Sequence, residues 1–158
     1  MPSLPLAHLI TFRTYATWLH GDGRYSMHHR RMHGYQSPAL TPSPAWRAHS
    51  RSALKNEPVV LDEASRAVVD STVIEVCAQR GWALLAVNAR TNHVHVVLRA
   101  RQAPEEAMAT LKAWCTRRLR EAGHVPPDGR VWAQRGSTRY LWTEQAVEGA
   151  VRYVVEGQ

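Results

Sequence analysis

Lysine is almost missing from this chain: Lys55 and Lys112 are the only two, so arginine supplies nearly all of the 20 basic residues that face 13 acidic ones. The formal net charge of +7 and the pI near 10.1 therefore rest on guanidinium groups. Guanidinium grips phosphate with a two-pronged fork and stacks on bases, so the balance points to a nucleic acid rather than a neutral small molecule. A GC-rich genome, which favours Arg over Lys, is the plainer source of the same bias. Cysteine is also scarce. Cys77 and Cys115 sit inside helical patterns as small apolar residues, which excludes a disulfide framework and a Cys-x-x-Cys zinc site. No apolar run approaches the roughly 18 residues that a membrane span needs. The first residues carry no signal-peptide pattern, so a cytoplasmic protein without a membrane partner is expected. At 158 residues the chain is long enough for one domain, residues 1–158, with a real core.

What is present centres on Thr91-Asn92-His93-Val94-His95-Val96-Val97-Leu98. Its β-branched composition suits a pleated surface. Side chains alternate along a strand, so His93 and His95 share one face while Val94, Val96 and Leu98 enter a core on the other. Two imidazoles held this way form a pre-aimed pair of metal ligands. With nine histidines in the chain, a chance His-x-His pair is the alternative.

The stretch from Leu6 to Leu19 reads as a first strand with a bulge near Tyr15-Ala16, ended by turn residues His20 to Gly23. Residues 24–58 lose periodicity and cluster His28, His29, Arg30, Arg31 and His33 ahead of several prolines. This reads as an irregular basic insertion, either a flap against phosphates or a solvated loop. Asp62 to Arg80 is a helix with Asp62 as N-cap and Gly81 beyond its end. Trp82 to Val87 is the next strand, and the link 88–91 makes it an antiparallel hairpin with the histidine strand.

Pro104 opens a second helix that runs to Gly123, with Met108, Leu111, Cys115 and Leu119 on its buried side. Lys112, Arg117, Arg118 and Arg120 crowd its second half. They suit the helix dipole, and their density also marks a phosphate-facing edge. Residues 130–142 read as one or two short strands. There Arg135 and Arg139 interleave with Trp132, Tyr140 and Trp142, a composition suited to single-strand binding, although Trp132 could equally pack a core. A last helix starts after Thr143, with Val147, Val151, Val154 and Val155 on its apolar face. Tyr153 lies beside that face, on the side of Ala146 and Ala150. The order βαββαβ, followed by this helix, predicts an α+β, ferredoxin-like (RRM-like) antiparallel sheet with helices on one face and a C-terminal helix carrying the tyrosine. The open face of such a sheet commonly binds single strands.

Three segments together, residues 91–97, residues 15–22 and Arg152-Tyr153-Val154-Val155, resemble the HUH (His-hydrophobic-His) single-tyrosine transposases. These are the insertion sequence two-hundred class and its repeat-associated tyrosine transposase relatives. The resemblance implies that His93 and His95 hold a divalent Mg²⁺ or Mn²⁺ and that Tyr153 is the nucleophile. It also implies metal-dependent cleavage and rejoining of hairpin-bearing single-stranded DNA through a 5′-phosphotyrosine, with a homodimer as one form of the family. Lys112, Arg117, Arg118, Arg135 and Arg139 are the expected phosphate contacts. One departure stands out: the family places a Gln or Asn ligand four residues after the tyrosine, where this chain has Gly157. Glu156 and Gln158 flank that position as candidates, and Glu156 is preferred because a carboxylate suits a hard ion. A non-catalytic single-strand-binding module on the same fold is the alternative function. A cupin-like metalloenzyme would need a Glu shortly after the second His, and Val96 to Gln102 contain none.

Overall fold

The computed structural model describes residues 3–17 and 58–156. They form β1 (Ala7–Thr14), α1 (Glu63–Arg80), β2 (Ala83–Ala89), β3 (His93–Arg99), α2 (Pro104–Glu121), β4 (Trp132–Leu141) and α3 (Glu144–Glu156). The strands make one antiparallel sheet in the order β2-β3-β1-β4. This is the expected α+β, ferredoxin-like arrangement.

Local chemistry sets the helix ends. Asp62 accepts a bond from Ser65 N at 2.8 Å, satisfying one of the free N–H groups at the start of α1. Gly81, at φ 71°, closes α1 in the left-handed region, and Trp82 N then donates back to Cys77 O at 2.9 Å. Thr143 caps α3 through its hydroxyl, which accepts from Ala146 N at 3.0 Å. α2 differs: it begins with Pro104, and Ala103 before it offers no side-chain cap.

The sheet separates two cores. On one side α1 and α2 cover Ile10, Phe12, Val94, Val96 and Leu98 with Val69, Val73, Leu111 and Leu119. Burial raises the Cys77 thiol to about 11 and the Cys115 thiol to about 12, so both remain uncharged packing groups. On the other side α3 rests on a smaller cluster of Ala7, Ala86, Val97, Leu141, Val147, Ala150 and Val154. Val155, expected on this apolar face, is 64% exposed. The stripe is narrower than the valines suggest: Val147, Ala150 and Val154 are buried on the sheet and Val151 packs at its margin.

Several expected boundaries move. β1 ends at Thr14 rather than Leu19. Tyr15–Thr17 is a turn in which Ala16 takes φ 64° and Thr17 Oγ1 donates to Thr14 O at 3.1 Å. The break in pairing lies earlier than Tyr15-Ala16, between Phe12 and Thr14, where the partner on β4 jumps from Gly136 to Trp132. The 130–142 segment is one ten-residue strand. Trp132 belongs to the core: it stands edge-on to Phe12 at 4.8 Å, and its Nε1 donates to Lys112 O and Thr116 Oγ1. Residues 18–57, which hold nearly all of the expected basic insertion, lie outside the described residues. The chain returns beside the strand it left, since Val59 N donates to Tyr15 O at 3.0 Å.

Gly136 marks a close approach between layers. A Cβ there would sit 2.5 Å from Thr11 O and 2.5 Å from Met108 Sδ. The thioether can swing away, but the strand carbonyl cannot. Gly136→Ala is therefore expected to destabilise the fold by about 1–3 kcal/mol, as overpacking does. The check is urea unfolding: a lower midpoint with an unchanged slope, whereas an unshifted midpoint would show that β1 and β4 separate without cost.

Candidate active site

The alternation of β3 sends His93, His95 and Val97 toward α3, while Val94, Val96 and Leu98 enter the α1–α2 core. The two imidazoles meet edge to face with centroids 4.6 Å apart. His93 Nδ1 lies 2.7 Å from Asn92 Oδ1. An amide oxygen only accepts, so Nδ1 donates and the lone pair sits on Nε2. His95 Nδ1 lies 2.8 Å from Thr11 Oγ1 on the neighbouring strand β1. Metal-binding histidines are commonly fixed through the second ring nitrogen in this way. Only 4% of His95 is exposed. Burial lowers its pKa below the ordinary 6.5, helped by the positive charges of Arg13 and Arg90. The ring is therefore neutral at neutral pH, the form that can ligate.

Tyr153 reaches this pair from α3. Its ring meets that of His95 of the same chain, centroid to centroid at 5.2 Å, and the residue is 43% exposed. A phenol, two oriented imidazoles and open solvent thus share one place. The helix is held there by apolar packing, by a directional bond in which Asn88 Nδ2 donates to Val154 O at 2.8 Å, and at its first turn by the exposed Arg99–Glu144 contact at 3.8 Å. Asn88 pairs with His95 across the β2–β3 ladder, so a single rung carries both the imidazole and the tie to the tyrosine helix.

The other expected site residues divide. Arg139 pairs with Leu9 and Arg135 is exposed beside the irregular end of β4. The register of Leu9 with Arg139 and of Thr11 with Ser137 places Arg139 on the histidine side of the sheet. Lys112, Arg117 and Arg118 belong to α2, on the opposite side, and each has an internal partner. Lys112 Nζ donates to Ala133 O and Arg135 O, stapling α2 to β4. Arg117 pairs with Glu121, and Arg118 joins Glu121 to Glu75 of α1. Glu156 borders a groove of about 520 Å³ beside β2 with Leu85, Arg99 and Val151. The 60° turn that separates it from Tyr153 carries it to the face of Glu148 and Arg152, away from Ala150 and His95. Among the described residues no three His, Cys, Asp or Glu side chains gather as a metal set, so Glu156 is not assembled with the histidine pair. Gln158 lies outside the described residues.

Thr11, Arg13, Asn88 and Arg90 were not singled out from the sequence. Asn88, expected to begin the 88–91 link, lies inside β2, which runs to Ala89, and is the lone polar side chain of that apolar strand. Asn88→Ala removes one bond worth about 0.5–1.5 kcal/mol. The expected result is faster amide exchange confined to α3, with α1 and α2 unchanged. Equal acceleration in all three helices would mean that Asn88 supports the fold generally and not the tyrosine.

The family model "Transposase IS200 like" matches residues 45–145, well over half of the chain, and the protein belongs to that family. The matched segment contains the histidine strand and stops short of Tyr153. Two solved structures share the fold. One, assigned as a transposase from Deinococcus radiodurans R1, is 14% identical, covers 99% of this chain and 93% of its own, and has a TM-score of 0.51. The other is a REP-associated tyrosine transposase bound to a REP hairpin, at 9% identity, 99% and 68% coverage, and a TM-score of 0.51. No curated protein matches the chain. No described helix is long and apolar enough to cross a membrane.

Proposed function

We propose that this transposase-family protein cuts and rejoins single-stranded DNA through a covalent bond to Tyr153. The observation that carries the reading is the contact of Tyr153 with His95, itself against His93, within one chain. A phenol is a useful nucleophile only where something stabilises the charge at its target, and the imidazole pair is placed to do that with a bound cation. His93 and His95 would hold Mg²⁺ or Mn²⁺ through Nε2, with a third oxygen donor from the chain after Tyr153, where Gln158 is the remaining candidate. Such an ion supplies Lewis-acid polarisation of a phosphate oxygen.

The protein's own groups account for the rest. Tyr153 Oη attacks phosphorus and forms the P–Oη bond. The P–O3′ bond breaks, and the phenol proton ends on the leaving 3′ oxygen. The products are a 5′-phosphotyrosine and a free 3′-OH, and attack by a 3′-OH reverses the step without an external energy source. Arg13 and Arg90, whose charges already act on His95, lie where a phosphate would be held, and Arg139 extends the cationic surface along β4. The hairpin held by the REP-associated relative motivates a hairpin-bearing substrate for this chain too.

A 3′-labelled hairpin oligonucleotide with randomised single-stranded flanks, incubated with Mn²⁺, tests the reading on a denaturing gel. A labelled band at protein mass is expected, because the strand 3′ of the cut stays attached. The second reading, a binding module without cleavage, is favoured by the gathering of only two ligands among the described residues. Tight DNA binding with no covalent band under Mn²⁺ or Mg²⁺ would establish it.

A further inference from the structure

A second cleft, of about 1080 Å³, opens at the far end of the sheet. Arg80, Arg99, Arg101, His8, Tyr140 and Pro104 are among its lining residues. It lies where β3 ends, on the α1–α2 side, since His8 pairs with Leu98 and Tyr140 and faces away from the His95 surface. The Tyr153 chemistry uses none of these residues.

Four features give the cleft its character. His8 is 4% exposed, yet its buried Nδ1 has no hydrogen-bond partner among the described residues. Buried polar atoms are rarely left so, and the exceptions call for an explanation. Arg80 and Arg101 have no ion pair among the described residues, in contrast to Lys112, Arg117 and Arg118, which are all internally engaged. Arg99, which alternates with His95 and Val97, turns instead toward α3, 3.8 Å from Glu144. The first turn of α2 adds the Glu105 N–H, which no side chain caps, since Pro104 has none and Glu106 N and Ala107 N donate to Ala103 O. Glu105 in that first turn is turned to β4, where it accepts from Thr138 Oγ1 at 2.9 Å. Tyr140 supplies a half-exposed ring standing edge-on to His8 at 5.2 Å.

Cations for a phosphate, an aromatic surface and an unsatisfied polar atom together describe the chemistry of a nucleotide. We propose that this cleft seats one unpaired nucleotide of the DNA strand, its phosphate on Arg80 and Arg101 and its base against Tyr140 and His8. The nucleotide must be unpaired, because the face of a base inside a duplex is not available for stacking. The proposal rests on the DNA reading above and adds a second contact on the other side of the sheet from Tyr153.

The test is fluorescence anisotropy in the Tyr153→Phe background, which prevents cleavage, on a hairpin with a single-stranded flank and on the same hairpin made blunt. The Arg80→Ala/Arg101→Ala pair should weaken binding of the flanked hairpin about tenfold and flatten its salt dependence, with little effect on the blunt one. Tyr140→Ala should cost a similar factor through lost stacking. His8→Phe, which keeps the ring packing, should weaken the flanked hairpin severalfold. Unchanged affinities, or equal losses on both DNAs, would overturn the seat. Displacement of the flank by excess dAMP as efficiently as by the flanked hairpin itself would reassign the cleft to a free nucleotide. If the parent protein binds neither hairpin, the DNA reading fails, and the seat fails with it.

Discussion

Tyr153→Phe is expected to abolish the protein–DNA adduct, by on the order of 10³-fold or more, while the fold and DNA affinity are kept. The substitution removes one oxygen and leaves the ring. The edge contact with His95 at 5.2 Å is a ring contact, so its packing survives. Val154 and Ala150, which seat α3 on the sheet, are untouched. The measurement is the labelled band on a denaturing gel beside anisotropy on the same oligonucleotide. A normal band in the variant would move the nucleophile elsewhere. Tyr140 of β4, the other exposed tyrosine among the described residues, is poorly placed for that role, because it stands against His8 on the opposite side of the sheet.

The second large effect falls on the imidazoles. His95→Ala should eliminate Mn²⁺ binding and the adduct together, and Thr11→Val should weaken Mn²⁺ by about ten- to hundredfold by releasing His95 Nδ1. Isothermal titration with Mn²⁺ reads both. The pH dependence has a definite sign. The His95 pKa lies below 6.5, so at neutral pH no proton has to leave. Affinity should be flat above that value and decline only as the pH falls beneath it, when protons compete for the ring. The same titration on Glu156→Ala and Gln158→Ala locates the third donor. The groove position of Glu156 predicts wild-type affinity for its variant and a His95-like loss for Gln158→Ala. Undiminished Mn²⁺ binding by His95→Ala would remove the pair from metal chemistry.

The histidine strand was legible because its information is local. A period of two, a β-branched stretch and a short link to Trp82–Val87 fix both the direction of the imidazoles and their hairpin. The caps of α1 were legible for the same reason. What escaped depends on registers between distant segments. Thr11 and His95 are 84 residues apart, and nothing in either neighbourhood announces that one holds the other. The arginines of α2 show the same limit from the other side. Their number was visible, but not that Glu75, 43 residues away, and Glu121 meet them. The placement of Glu156 turns on geometry closer at hand: 60° around a helix is near in angle, but its direction decides between the histidines and the β2 groove.

The division of the interior by the sheet has a consequence for how the molecule holds its reagents. The imidazoles belong to a central strand locked on one side by large, fully buried side chains such as Phe12, Ile10 and Leu111. The phenol rides on a helix seated mostly on alanine and valine, joined to β4 by the two residues Trp142 and Thr143. Burial energy scales with apolar area, so the detachment of α3 is the cheaper opening of the two. On the proposed chemistry, the scaffold would keep its metal-binding half rigid and its nucleophilic half on a short leash. A substitution at Val147 or Ala150 would then act as a dial on how often the tyrosine is docked, leaving the surface that meets the strand unaltered.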